Sequence, residues 1–243
     1  MSNSRWRESK NDRLFLEALH YFTLHNICWR ALPEQFGNWN SIWKRFDPLG
    51  KAGVFEDDFS ILAGLDESAH LIAMFDSTVI RAHVSAACAK GGRKIKRLGV
   101  RAEGSEPKSI KTDRNGQPLG FELTGGEVSD SKQFESLMET GPQIRHRAII
   151  ADKGYDSDVN REIARKAGAI PVIPYRSNRQ NIPKHFATAL YRGRARIEQM
   201  MGKLKRFKRV ALRCEITARN FRSIVAIACF RGTSDLFIEG DLF

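Results

Sequence analysis

Hydrophobic and polar positions repeat along this chain with two different periods, and the change of period divides it. From residue 11 to about 65 the repeat is helical: Leu14, Phe15, Ala18, Leu19 and Phe22 fall three or four apart. WRALPEQFGNW then brings a turn at Pro33 and Gly37. NSIWKRFDPL predicts a second short helix carrying Ile42, Trp43 and Phe46, ended by Pro48 and Gly50. A third helix is expected from about Val54 to Leu65. Near Ser68 the character changes. HLIAMFDSTVIRAHV is apolar and β-branched, long enough for a strand. The Gly-rich basic run 88–110 reads as a loop, and SIKTDRNGQPLGFELTGGEV as a hairpin turning at Asn115–Gly116.

Further on the elements alternate. DSKQFESLMETG reads as a helix capped by Ser129 or Asp130 and stopped at Gly141. RAIIAD is a buried strand ending in Asp152. SDVNREIARKAG is a helix closed by Gly168, and AIPVIPY a strand ending at Pro174. A polar loop leads into YRGRARIEQMMGKLKRFKRV, and ITARNFRSIVAIACF forms a last amphipathic helix. The predicted order after Ser68 is strand, hairpin pair, helix, strand, helix, strand, helix. That is an α/β mixed sheet flanked by helices, the layout of the ribonuclease-H-like fold. We divide the chain into a small all-α region, 1–66, and a ribonuclease-H-like region, 67–243. The first is compatible with a helix-turn-helix-type DNA reader or with a helical cap on the second; Trp29, Trp39 and Trp43 read as core.

Charge narrows the function. With 40 Lys and Arg against 28 Asp and Glu in 243 residues, the net charge is +12, which points first to nucleic acid and second to acidic membrane surfaces. A hydrophobic fraction of 42% supports a sizeable core. No run is long and apolar enough to span a membrane, and the first residues lack a secretory signature, so a cytoplasmic location is expected. The four cysteines are far apart and form no zinc spacing.

Against this basic background three acids stand out. Asp76 interrupts an apolar strand, where an unpaired carboxylate is costly. Asp152 ends the RAIIAD strand. Glu198 is the single acid among nine Lys or Arg between Arg192 and Arg213. On an ideal helix Tyr191, Arg194, Glu198 and Lys205 share one face within roughly sixty degrees of arc. Three acids meeting there would offer oxygen ligands to a hard divalent cation such as Mg²⁺. Each also has a simpler structural reading. Asp76 can pair with Arg81 or His83, Asp152 can cap the turn before Lys153–Gly154, and Glu198 can pair with Arg194.

The spacing Tyr191, Arg194, Glu198, Lys205 is similar to the signature around the last acid of insertion-sequence transposases of the DDE class. FDSTVIRAHVSAACAKGG, LTGGEVSDS, ADKGYDS, VIPYRSNR and RARIEQMMGKLKRFKRVALRCEITARNF resemble segments of the IS-five family, and WRALPEQFGNWNSIWKRF resembles its N-terminal helical region. The resemblance runs from about Leu14 to Phe230. It implies a metal-dependent DNA transposase that cuts the ends of its element and joins their 3′-hydroxyls to target DNA. Asp76, Asp152 and Glu198 would hold two Mg²⁺ ions, with Mn²⁺ as a substitute. Arg194 and Lys205 would contact phosphate, and Tyr191 would orient flanking DNA or pack at the site. Lys153, Arg176, Arg179, Lys203 and Arg206 would add DNA contacts, and His83 would support. Double-stranded DNA and a second copy of the chain are the expected partners. A non-catalytic DNA-binding relative and a purely hydrolytic nuclease are the alternatives. The chain departs from the family in RAEGSEPKS, with Glu103, Glu106 and Pro107, and in its end, RGTSDLFIEGDLF. The first departure bears on strand pairing, the second on activity.

Overall fold

The structure is a computed structural model and describes residues 11–65, 67–83, 105–124, 130–180, 182–183 and 185–233. Its centre is a six-stranded sheet built on β1, Ile72–Ala82. The hairpin strands β2 (Ser105–Thr112) and β3 (Pro118–Leu123) lie antiparallel on one side of β1. On the other side β4 (Ala148–Ala151) and β5 (Ile170–Val172) run parallel. The order β3-β2-β1-β4-β5 is that of the ribonuclease-H-like fold. A two-residue strand, β6 (Leu212–Arg213), pairs with the far end of β1; nothing in the periodicity marks so short a strand.

Asp113 closes the β2–β3 turn. Its carboxylate accepts from the Asn115 and Gln117 amides, and Gly116 supplies the positive φ of 86° that the turn requires. One expectation fails at the start of β2. The basic run was expected to be a loop up to residue 110, yet Ser105–Thr112 is strand, with Pro107 opposite Val79 and Glu106 opposite Ile80. Pro107 is tolerated because among the described residues β3 pairs with β2 only from Lys108 onward, so no ladder bond to β3 is lost there. Glu103 and residues 88–104 lie outside the described residues, as do Ser129 and 234–243.

The first helices are α1 (Asp12–His25), α2 (Trp39–Ala52) and α3 (Val54–Gly64). Helix α2 runs through Pro48 and Gly50 instead of ending there, and stops at Gly53, where φ is 75°. The proline's lost hydrogen bond is offset by burial of Phe46 among Trp29, Trp43 and Phe55. Gly50 faces Ser223 across a gap that would leave an added Cβ 3.2 Å from its hydroxyl. Trp29 stacks on Phe22 at 3.8 Å, and Trp29, Trp39 and Trp43 pack partly buried against the core.

Helices α4 (Phe134–Glu139) and α5 (Asp158–Lys166) cover one face of the sheet. They bury Phe134, Leu137 and Ala164 against Ala73, Phe75, Ile149 and Ala151. Ser157 caps α5 by accepting from the Asn160 amide, and Gly168 follows it at φ 79°. A helical run covers the other face: one turn α6 (Thr188–Tyr191), a 3₁₀ turn Arg192–Arg194, α7 (Ala195–Arg206) and the short α8 (Lys208–Ala211). Ile197 packs on Met74, Ile150 and Val172. The long α9 (Ala218–Thr233) shares a core with α1–α3 and with Ile80, Ile110, Phe121, Met200 and Leu204. The N-terminal helices therefore pack into the same hydrophobic core as the hairpin and α7.

Candidate active site

Strand alternation places the aspartates. Along β1, Ala73 and Phe75 point toward α4 and α5, and Met74 toward α7, so Asp76 also faces α7. Along β4, Ile149 and Ala151 face α4 and α5 while Ala148 and Ile150 face α7. Asp152, the next even position, joins Asp76. Phe75 pairs with Ala151 across the parallel ladder, so the two aspartates each follow a paired residue on neighbouring strands.

The helix brings the third acid. The 3₁₀ turn at Arg192–Arg194 eclipses side chains three apart, setting Tyr191 over Arg194 more closely than an ideal α-helix does. Arg194 is the centre of the arrangement. Its Nη2 donates to Asp76 Oδ1 at 2.7 Å and its Nη1 to Glu198 Oε1 at 2.6 Å. Asp76 and Arg194 are mostly covered, at 15% and 17% side-chain exposure, whereas Glu198 is open at 58%. Asp152 accepts from the Gly154 amide at 2.7 Å and opens the turn Lys153–Tyr155.

The electrostatics reflect this crowding. Burial raises the Asp76 carboxyl above the usual range, and the Asp152 charge adds to the rise; Arg194 and the Ser77 amide oppose it without reversing it. Burial likewise raises the Tyr191 phenol, aided by Asp152 and Glu198 and opposed by Arg194. Burial pulls the Arg194 guanidinium down, but Asp76, Tyr191, Glu198 and Asp152 together hold it above its ordinary value. All three acids thus act on one guanidinium.

Among the described residues no trio of His, Cys, Asp or Glu stands close enough to share an ion as placed. The reason is geometric: the Arg194 guanidinium lies between Asp76 and Glu198, each oxygen at hydrogen-bond distance from it. Carboxylate oxygens are the donor type that hard divalent cations take.

Two of the simpler readings of the acids hold. Asp152 does cap its turn and Glu198 does pair with Arg194. Asp76 pairs with Arg194, across the fold. His83 ends β1, its amide on the Arg213 carbonyl; seven extended residues from Asp76 put it on the order of 20 Å away. Lys203, Lys205 and Arg206 are exposed on α7, and Lys153 is exposed beside Asp152. Lys205 also lines a cavity of about 100 Å³ with Thr78, Ile80, Met201 and Leu204. Arg176 and Arg179 are engaged internally: Arg176 with the carbonyls of Lys153 and Gly154, Arg179 with Asp156 and Asp158. The sequence reading missed Asp156, Arg161 and this loop-anchoring role; the buried cluster is formed by tertiary packing and leaves no periodic signal.

A ribonuclease-H-like sheet with aspartates at adjacent strand positions, under a basic helix that carries a third acid, defines a class of nucleic-acid-cleaving enzymes. Residues 67–231 match the family described as "Transposase DDE domain", and this chain belongs to that family. Residues 2–58 match "Putative transposase of IS4/5 family". A Brucella ovis protein described as "Putative transposase for insertion sequence element IS6501" is 37% identical over 118 residues, 48% of this chain and 88% of its own length. A Burkholderia cepacia protein, "Putative transposase for insertion sequence element IS402", is 31% identical over 138 residues, 53% of this chain and 63% of its own. The solved Mos1 transposase catalytic domain, with raltegravir and Mg, covers 78% of this chain and 94% of its own at 12% identity. Its TM-score is 0.26, too low to bear on the site. No helix among the described residues is long and apolar enough to cross a membrane.

Proposed function

We propose that the chain is a DNA transposase that cuts phosphodiester bonds at the ends of an insertion sequence and joins the freed 3′-hydroxyls to target DNA. Asp76, Asp152 and Glu198 would hold two Mg²⁺ ions, or Mn²⁺ in their place. The observation that carries this reading is the bridging of Asp76 and Glu198 by the Arg194 guanidinium through direct ion pairs, with Asp152 following the residue that pairs beside Asp76 on the next strand. When bound, the ions supply Lewis-acid stabilisation of the attacking and leaving oxygens of an in-line displacement.

The chain's own residues do the rest. Arg194 turns away from Asp76 and Glu198, freeing their oxygens, and its guanidinium then meets a DNA phosphate. Lys203, Lys205 and Arg206 on α7, with Lys153 beside Asp152, line the approach and neutralise the backbone. Tyr191, set edge-on to Phe186 with ring centroids 5.4 Å apart, forms an aromatic wall beside Arg194 that orients flanking DNA. Residues 1–66 read the element's end while anchored through the shared core, and residues 67–243 perform the chemistry. Pairing two ends calls for a second copy of the chain.

The test uses supercoiled donor DNA carrying the element's terminal repeats, with Mg²⁺. Wild type yields cut donor and a joined donor–target product. Asp76→Ala abolishes both while DNA affinity is retained or tightened. A cut donor without joined product would indicate a hydrolytic nuclease. Binding without cutting in wild type would indicate a non-catalytic DNA-binding relative.

A further inference from the structure

Behind the Asp152 turn lies a buried ionic cluster that the chemistry above does not employ. Asp156 Oδ1 accepts from Arg161 Nε at 3.1 Å, Arg161 Nη2 at 2.9 Å and Arg179 Nη1 at 2.9 Å, and Oδ2 accepts from the Arg176 amide at 2.8 Å. Arg161 is 4% exposed, donates also to the Ile173 carbonyl at 2.7 Å, and lies 4.0 Å over the Tyr175 ring. One carboxylate thus ties together the Asp152 turn, α5 and the loop that leaves β5.

From that anchored loop Arg176 reaches back. Its Nε donates to the Lys153 carbonyl at 3.2 Å and its Nη2 to the Gly154 carbonyl at 2.8 Å. The Lys153 carbonyl belongs to the same peptide unit as the Gly154 N–H, and that N–H donates to Asp152 Oδ1. A cation on the oxygen of a peptide polarises it and strengthens the bond made by its N–H. A buried ion pair has little net stabilising value in itself, and Arg176 is exposed. Fold stability is therefore a poor explanation for two guanidinium bonds on the short turn that carries Asp152.

We propose that Arg176 is a positioning residue for Asp152: held by Asp156, it clamps the Lys153 and Gly154 carbonyls and so fixes the orientation of the Asp152 carboxylate. This rests on the reading of Asp152 as a member of the acidic triad. It assigns Arg176 an internal role in place of the DNA contact expected from sequence.

The test compares wild type with Arg176→Ala, Arg176→Lys and Asp152→Asn in the full chain. Three quantities are followed: amide hydrogen exchange across 152–156, donor-DNA affinity without metal, and strand cleavage with Mg²⁺. Arg176→Ala is expected to exchange the Gly154 amide at least about tenfold faster and to lose roughly 10- to 100-fold in cleavage, as residues behind a metal ligand typically do. Its DNA affinity changes by less than about threefold. Arg176→Lys, with one point charge for two carbonyls, recovers part of both losses. Unchanged Gly154 exchange in Arg176→Ala overturns the clamp. Faster exchange with unchanged cleavage overturns its role in the reaction. Weakened DNA binding with unchanged exchange makes Arg176 a DNA contact. Retained cleavage in Asp152→Asn sinks the triad reading instead, and the exchange measurement still decides the clamp.

Discussion

Lys111 sets a measurable pH dependence. It lies in β2 opposite Phe75, only 1% exposed, and its ammonium donates to the Met138 carbonyl in the last turn of α4 at 3.3 Å. Burial lowers its pKa from 10.5 to about 8. In the unfolded chain the ammonium titrates near its ordinary value. Below about pH 8 both states are protonated and the folded state carries the full cost of the buried charge. Between about 8 and 10.5 the unfolded state binds more protons, so stability rises with pH. Above that range both are neutral and the cost is gone. A fall from 10.5 to about 8 corresponds to about 3 kcal/mol, at roughly 1.4 kcal/mol per pH unit. Lys111→Met removes that cost but leaves the Met138 carbonyl without its donor, a loss of about 1–2 kcal/mol. The variant should therefore be more stable than wild type at pH 7 by about 1–2 kcal/mol, and less stable at pH 10.5. Urea unfolding followed by circular dichroism at pH 7, 8, 9 and 10 measures the difference. Parallel stability profiles for the two proteins would refute the reasoning.

Other changes test the site and the packing. Arg194→Ala leaves Asp76 without its counter-ion, so the metal-free protein should melt lower at pH 7 and Mg²⁺ should raise its melting temperature more than it raises that of wild type; equal Mg²⁺ shifts would argue against a shared site. Arg209→Met strands the buried Glu215 carboxylate that it holds at 2.6 Å, and should destabilise by about 3–5 kcal/mol, much of which Glu215→Leu in the same chain restores; a chemical-denaturation cycle reads both. Gly141→Ala places a Cβ 1.9 Å from the Leu119 carbonyl at φ 80°, whereas Gly168→Ala meets nothing at φ 79°; thermal unfolding should show the first far more damaging than the second, which should cost about 1–2 kcal/mol.

Much of the architecture was legible because the signals were local. Asp76 interrupts an apolar β-branched strand, Asn115–Gly116 marks its hairpin, and the alternation of RAIIAD faces Asp152 the same way as Asp76. What escaped depended on distant partners. Pro48 reads as a helix stop, but Phe46 and the aromatic residues around it hold α2 through to Ala52. Pro107 and Glu106 read as loop, yet β1 offers them a partner strand. β6 exists only because the end of β1 passes beside it. Arg176 and Arg179 look like free cations in VIPYRSNR, and only the fold supplies the Asp156 carboxylate and the carbonyls that engage them.

The same dependence explains how Asp76 and Glu198 are held beside one cation. Asp76 is mostly covered and has the Asp152 charge for a neighbour; with no cation nearby, mutual repulsion and burial would both favour its neutral form. Arg194 answers both at once. It is delocalised and always charged, and its planar fork bonds two carboxylates in different directions. A lysine at 194 would present one point charge and could not span Asp76 and Glu198 in the same way. The arginine's place in the spacing Tyr191, Arg194, Glu198, Lys205 therefore has a structural reason. It lies four residues before Glu198 and directly across from Asp76, the position from which one cation bridges a strand acid and a helix acid.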